Sequence, residues 1–169
     1  MSLLVKGRPQ GTEIVKVTPA SAGWKHVGFE AFRLAPGENL RLVLPAGREG
    51  CLVLLSGSAD VLADTQRFEH LGGRLSVFDE HSPDAVYAPP GTRFEIAAQV
   101  AAVLALATAP ASGRLPIRLI PAAGMKRSAR GQGSNTRYVC DILPQTEPAE
   151  SLLVVEVVTP AAHSSSYPP

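Results

Sequence analysis

Residues 51–63 read CLVLLSGSADVLA: an unbroken apolar run, the small pair Ser56-Gly57, and a second segment that ends on Val61, Leu62 and Ala63. The pattern predicts two strands around a turn, because glycine accepts the positive φ that tight turns demand. The same grammar extends outward. Residues 84–98, DAVYAPPGTRFEIAA, predict two more strands around Pro89-Pro90-Gly91. Leu40, Leu42 and Leu44 alternate with Arg41 and Val43, and Phe94, Ile96 and Ala98 alternate with Arg93 and Glu95. A period of two belongs to strands with one face on a core. Residues 100–110, VAAVLALATAP, contain helix-favouring alanines, but the short span before Pro110 and the place in a strand series predict a strand. Fifteen glycines and fifteen prolines punctuate these short segments. The expected fold is all-β, a jelly-roll sandwich or small barrel.

A chain of 169 residues suits one domain with a short annex and is long enough for a substantial core. Sixteen basic and fifteen acidic side chains give a net charge of +1, with no dense run of either sign. A nucleic-acid partner is therefore not expected, since binding phosphate takes concentrated Lys and Arg. The longest mostly apolar stretch, Val100–Ala109, is half of a membrane span, and the N-terminus lacks the layout of a secretory signal. No membrane association is expected, and the cytoplasm is the expected compartment. Cys51 and Cys140 are too few for a disulfide framework; Cys51, opening its apolar run, reads as a buried core thiol.

A metal site of the cupin type requires His-x-His on a strand, a Glu a few residues later and a third His after a Pro-x-Gly turn. Alternate strand residues point the same way, so this spacing converges donors on one barrel face. Here Val43-Leu44-Pro45 stands where His-x-His would fall, and Glu49 stands where the carboxylate would be. Gly57 is one position late, and Phe94 follows the Pro-Pro-Gly turn in place of the third His. One ligand type of four remains, too few to hold a transition metal, so no metal is expected in this chain. His26, His70, His81 and His163 lie far apart; His26 is expected on the strand of KHVGFEAF, and His70 and His81 in loops. A weaker alternative joins Glu49 to a loop histidine.

Asp79, Glu80, His81 and Asp84 gather in FDEHSPDAVY, which reads as a polar loop ahead of a strand. RGQGSNTRY lacks the lysine, preceding strand and following helix of a phosphate loop. Its Asn135 and Arg137 suit an anionic substrate, because a guanidinium matches a carboxylate in two-point geometry.

Several blocks in order, GWKHVGFEAFRLAPGE, REGCLVLLSG, PDAVYAPPGTRFEI, GSNTRYVCDILP and SLLVVEVVTPAAHSSSYPP, resemble the 5-deoxyglucuronate/5-keto-4-deoxyuronate isomerase family. The resemblance runs from Trp24 to Pro169 and implies a bicupin of which this chain is the N-terminal half. It implies a metal-free first cupin over residues 1–145, with a connector at 111–137. Residues 146–169 would then form an inter-domain strand and tail. The ligands of a divalent metal, zinc or manganese, would lie in a C-terminal cupin that follows Ser166-Tyr167-Pro168-Pro169. The residues before the serines depart from the family pattern: Ala161-Ala162-His163-Ser164 stands in place of Gly-Gly-Asn-Trp.

The implied reaction is aldose–ketose isomerisation of 5-deoxy-glucuronate to 2-deoxy-5-keto-gluconate in myo-inositol catabolism. In that scheme the chain alone is inactive scaffold with no catalytic residue of its own. Asn135, Arg137 and Tyr167 are the groups expected near the sugar acid. The alternative is a standalone, non-catalytic cupin that binds a sugar acid or drives oligomerisation. Leu152–Val158, nearly pure aliphatic, is expected to promote a homo-oligomer if left as an open edge.

Overall fold

The computed structural model describes residues 4–165. Two antiparallel sheets enclose the main core. The larger holds β1 (Glu13–Val17), β2 (Gly28–Leu34), β4 (Arg48–Ser56), β7 (Ala85–Ala88), β9 (Ala102–Pro110) and β10 (Arg118–Ile120), in the order β1-β2-β9-β4-β7-β10. The smaller holds β3 (Asn39–Val43), β5 (Ser58–Ala63), β6 (Gln66–Gly72) and β8 (Arg93–Ala98), in the order β3-β8-β5-β6. Leu52 and Leu54 of β4 meet Val61 of β5 and Phe94 and Ile96 of β8 between them, all buried. This is the expected jelly roll, with alternate residues on each strand turned inward.

The turns singled out in the sequence are corners between sheets. Ser56-Gly57 passes the chain from β4 in the larger sheet to β5 in the smaller, and Pro89-Pro90-Gly91 does the same from β7 to β8. Gly57 has φ +78°, and a Cβ there would stand 2.1 Å from the carbonyl oxygen of Ala101. Neither the backbone angle nor the space admits a side chain. The alanine-rich segment is a strand because β9 lies between β2 and β4, paired along nearly its whole length with both. Full backbone pairing on two sides outweighs the modest helix preference of alanine.

A third sheet, β11 (Lys126–Arg130), β12 (Arg137–Leu143) and β13 (Val154–Val158), lies against the outer face of the larger one. Its Cys140, Ile142 and Leu143 pack with Leu152 on Cys51, Val53, Ala85 and Tyr87. Strand β4 thus feeds two cores at once, Leu52 and Leu54 on one side and Cys51 and Val53 on the other. Residues 111–137, read as a connector, contain β10 and β11, each pairing with a neighbouring strand. The division expected at residue 145 falls in the segment that links β12 to β13, two strands of one sheet. Among the described residues no helix is long and apolar enough to cross a membrane.

Replacing Gly57 with alanine should destabilise the chain by more than about 1 kcal/mol, since the site combines a left-handed backbone with a steric block. Urea denaturation of the two proteins measures the difference.

Candidate functional site

The barrel interior is filled where a cupin ligand set would project. Leu44 and Phe94 are 1% exposed and belong to the apolar core, while Val43 points to solvent. Among the described residues no three His, Cys, Asp or Glu side chains converge to hold a metal ion. The donor set present therefore does not fit a divalent metal.

Glu49 sits elsewhere than its count from Gly37 suggested. By strand alternation it shares the face of Cys51 and Val53, so its carboxylate leaves the barrel interior and enters the interface with the segment after β12. It is fully buried. Its Oε1 accepts the backbone N–H groups of Ser151 and Leu152 at 2.7 and 2.6 Å. Its Oε2 accepts the N–H of Glu150 at 2.9 Å and the hydroxyl of Tyr87 at 2.6 Å. Burial and this hydrogen bond push the Tyr87 phenol well above its ordinary range. The Arg118 guanidinium lies over the Tyr87 ring, 4.7 Å from its centroid. No histidine takes part, and both oxygens are occupied twice, so Glu49 anchors the chain rather than binding an ion.

A second carboxylate continues the chain of anchors. Glu150 accepts the N–H groups of Ser112, Gly113 and Arg114 at 2.8, 2.7 and 2.9 Å. Those bonds hold its carboxyl below the usual glutamate value. At the other end of β4, the buried Arg74 donates to both carboxylate oxygens of Glu156, at 2.9 and 2.5 Å, and to the carbonyl of Leu55. This two-point ion pair ties β13 to the end of β4.

The polar loop of FDEHSPDAVY is held by its own carboxylates. Asp79 accepts from the N–H groups of Leu75 and Ser76, and Asp84 accepts from those of Gly72 and Ala122. The histidines stay apart. His26 lies in a bend before β2, not on the strand, because β2 begins only at Gly28. His70 is in β6, not in a loop; it takes φ +56°, and its N–H donates to Asp60 where the pairing with β5 shifts register. His81 is exposed in the loop before β7, and the His163 ring contacts the carbonyl of Thr136. Cys51 is fully buried, which pushes its thiol up to about 12.

Asn135 and Arg137 come together at the start of β12. Arg137 Nη1 donates to the carbonyl oxygen of Asn135 at 3.1 Å and to its Oδ1 at 2.5 Å. Tyr167 lies outside the described residues. A cleft of about 620 Å³ opens between the loop of Phe78–Glu80 and the third sheet, with Arg127, Tyr138 and Glu156 on its walls. The roles of Arg74, Tyr87, Glu150 and Glu156 were not found in the sequence. The one available signal was a lone charge or phenol within an apolar segment, as in Ala85–Ala88.

Fold and site together define a cupin-type jelly roll with a filled barrel and an attached third sheet. The chain belongs to the KduI/IolB family, whose model matches residues 3–169. It is 44% identical over 156 residues to a protein of Geobacillus kaustophilus (strain HTA426) named 5-deoxy-glucuronate isomerase, covering 92% of this chain and 56% of that protein. A protein of the same name in Bacillus subtilis (strain 168) is 38% identical over 177 residues, covering 100% and 65%. The crystal structure of an IolB-like protein from Salmonella typhimurium LT2 superposes with a TM-score of 0.93 at 39% identity, covering 99% of this chain and 64% of that one. The chain thus spans between about half and two thirds of the length of these relatives.

Glu49→Ala should lower stability by more than about 3 kcal/mol, because it strands three backbone donors and a phenol in a dry interface. Glu49→Gln should also destabilise, since its amide nitrogen faces two donors whichever way it turns. Tyr87→Phe, which loses one bond to a charged acceptor, should cost about 1.5–3 kcal/mol. Calorimetric melting of the three variants checks this order. Glu150, with its folded pKa depressed, stabilises the protein above its ordinary 4.5, and that stability is lost as pH falls through the lower folded value. Melting temperatures measured below about pH 4.5 should therefore fall less steeply for Glu150→Gln than for the unsubstituted chain.

Proposed function

We propose that this chain is the scaffold portion of an isomerase that converts 5-deoxy-glucuronate to 2-deoxy-5-keto-gluconate, as in myo-inositol catabolism. The observation that carries this reading is 44% identity over 92% of the chain to a protein named for that substrate. The reaction moves a proton from the carbon beside an aldehyde to the neighbouring carbon, so it needs an acid–base group and a means of stabilising an enediolate. Leu44, Phe94 and the occupied Glu49 supply neither, which favours chemistry in polypeptide of the kind the relatives carry outside the matched stretch. No step through a metal is assigned to this chain. Asn135 and Arg137, already joined by hydrogen bonds, are the groups proposed to receive the substrate carboxylate, with Tyr167 as a further contact.

The filled barrel favours one other reading of the chain by itself: a non-catalytic module that binds a sugar acid without turning it over. Both readings place the molecule in the cytoplasm.

The test uses two proteins: the 169-residue chain, and the same chain fused after Pro169 to the portion of the Geobacillus kaustophilus relative that lies outside the match. Isomerisation of 5-deoxy-glucuronate is expected in the fusion and not in the chain alone. Arg137→Gln in the fusion should raise KM at least about tenfold, the loss of one charged hydrogen-bonding contact, with a smaller effect on kcat. Binding by the chain with no turnover in a folded fusion would favour the module instead.

A further inference from the structure

The three sheets differ in what their outer faces present. The smaller sheet shows ion pairs to solvent, Arg41 with Glu95 at 3.4 Å and Arg67 with Glu69 at 4.0 Å. Such a face is finished. The third sheet has one face packed on the larger sheet through Cys140, Ile142 and Val154, with Glu156 bound to Arg74 on the same side. Register places Val155 opposite Asp141 and Val157 opposite Val139 on its other face. Val155 and Val157 are 49% and 42% exposed, and Leu153 just before them is 63% exposed. Three large aliphatic residues in five positions, facing water on an alternating strand, form a patch of the kind that marks a contact surface.

The edge is open as well. Strand β13 ends the order β11-β12-β13, and among the described residues no strand pairs with its far side. Edges left in this state present unmet N–H and C=O groups. The only charge at its centre, Glu156, is turned to the opposite face and neutralised by Arg74, so nothing on the edge repels an incoming strand.

From these observations we infer that the Val155–Val157 face and the β13 edge are the seat of the further polypeptide carried by the longer relatives. The Salmonella typhimurium relative shares this body almost completely, yet about a third of its chain lies outside the match. That portion needs an apolar surface to pack on. The smaller sheet's outer face is charged, the barrel is full, and the inner face of the third sheet is packed on the larger one up to the cleft beside Phe78, whose walls carry the charges of Asp79, Glu80, Arg127 and Glu156. Arg130, paired with Asp141 at 2.9 Å, and Arg137, its cross-strand partner, alternate onto the same face as the valines. A body seated there would border the groups proposed to hold the substrate. This inference rests on reading the chain as scaffold.

Hydrogen exchange on the fusion described above tests it. Amides of residues 153–159 are expected to exchange at least about 100-fold more slowly in the fusion than in the 169-residue chain. The double substitution Val155→Lys, Val157→Lys should abolish that protection, yet leave the melting temperature of the 169-residue chain nearly unchanged because both positions are exposed there. Equal exchange in fusion and chain, whether or not the added portion folds, would overturn the inference. So would a 169-residue chain that light scattering finds to be a dimer, already protected at 153–159 and made monomeric by the double substitution, since a second copy would then be the occupant. Protection without turnover would count against the isomerase alone; turnover without protection would count against the docking face alone.

Discussion

One buried carboxylate determines how the parts of this molecule are joined. Glu49 projects from β4 on the side away from the barrel and gathers three consecutive backbone N–H groups from the segment before β13. An ionised group without solvent is tolerated only when its lone pairs are met, and here four donors meet them. Because Tyr87 is the fourth, strands β4 and β7 are both committed to the same anchor. Glu150 then passes the constraint on by capturing residues 112–114, so the segment that joins β9 to β10 and the segment that joins β12 to β13 are held to one another by carboxylates rather than by strand pairing. Apolar packing around Cys140 and Ile142 adds area, but the anchors select the register in which that packing occurs.

The filled barrel is the counterpart of that arrangement. A jelly roll that carries chemistry keeps polar donors and open space inside. This one places Phe94, Ile96 and Leu104 there, packed to the exclusion of both. Its charged and hydrogen-bonding side chains lie instead at the surfaces and in the seam with the third sheet. Of the sheets, the third is the most unequal, with one face committed to an ion pair and an apolar cluster and the other bearing valines and arginines.

The strands that alternate or flank a Gly or Pro corner were legible because those signals are local, whereas β1, β6, β10 and β11 were not read. Alternation in β3 and β8, and glycine or proline at each corner, are set by neighbours one or two residues away. Asn135 and Arg137 are only two positions apart, yet the sequence reading assigned them to a substrate and not to each other. The direction of Glu49 was not. The run Cys51–Leu55 is apolar on both faces because β4 lies between two cores, so hydrophobicity could not reveal which parity faces the barrel. Arg74 and Glu156 meet across 82 positions, and nothing near either residue announces the other. The placement of His70 in β6 followed from a register shift, which alternation cannot foretell.

The spacing of the anchor also governs the order of events during synthesis. Glu49 leaves the ribosome long before its backbone donors, which follow 101 to 103 positions later. At roughly 5–20 residues per second, the Glu49 carboxylate stays without its backbone donors for about 5–20 seconds. During the interval β4 can close the first core but not the second. The barrel therefore emerges as a provisional body with one hydrated seam, and the seam dries only when Leu152 arrives.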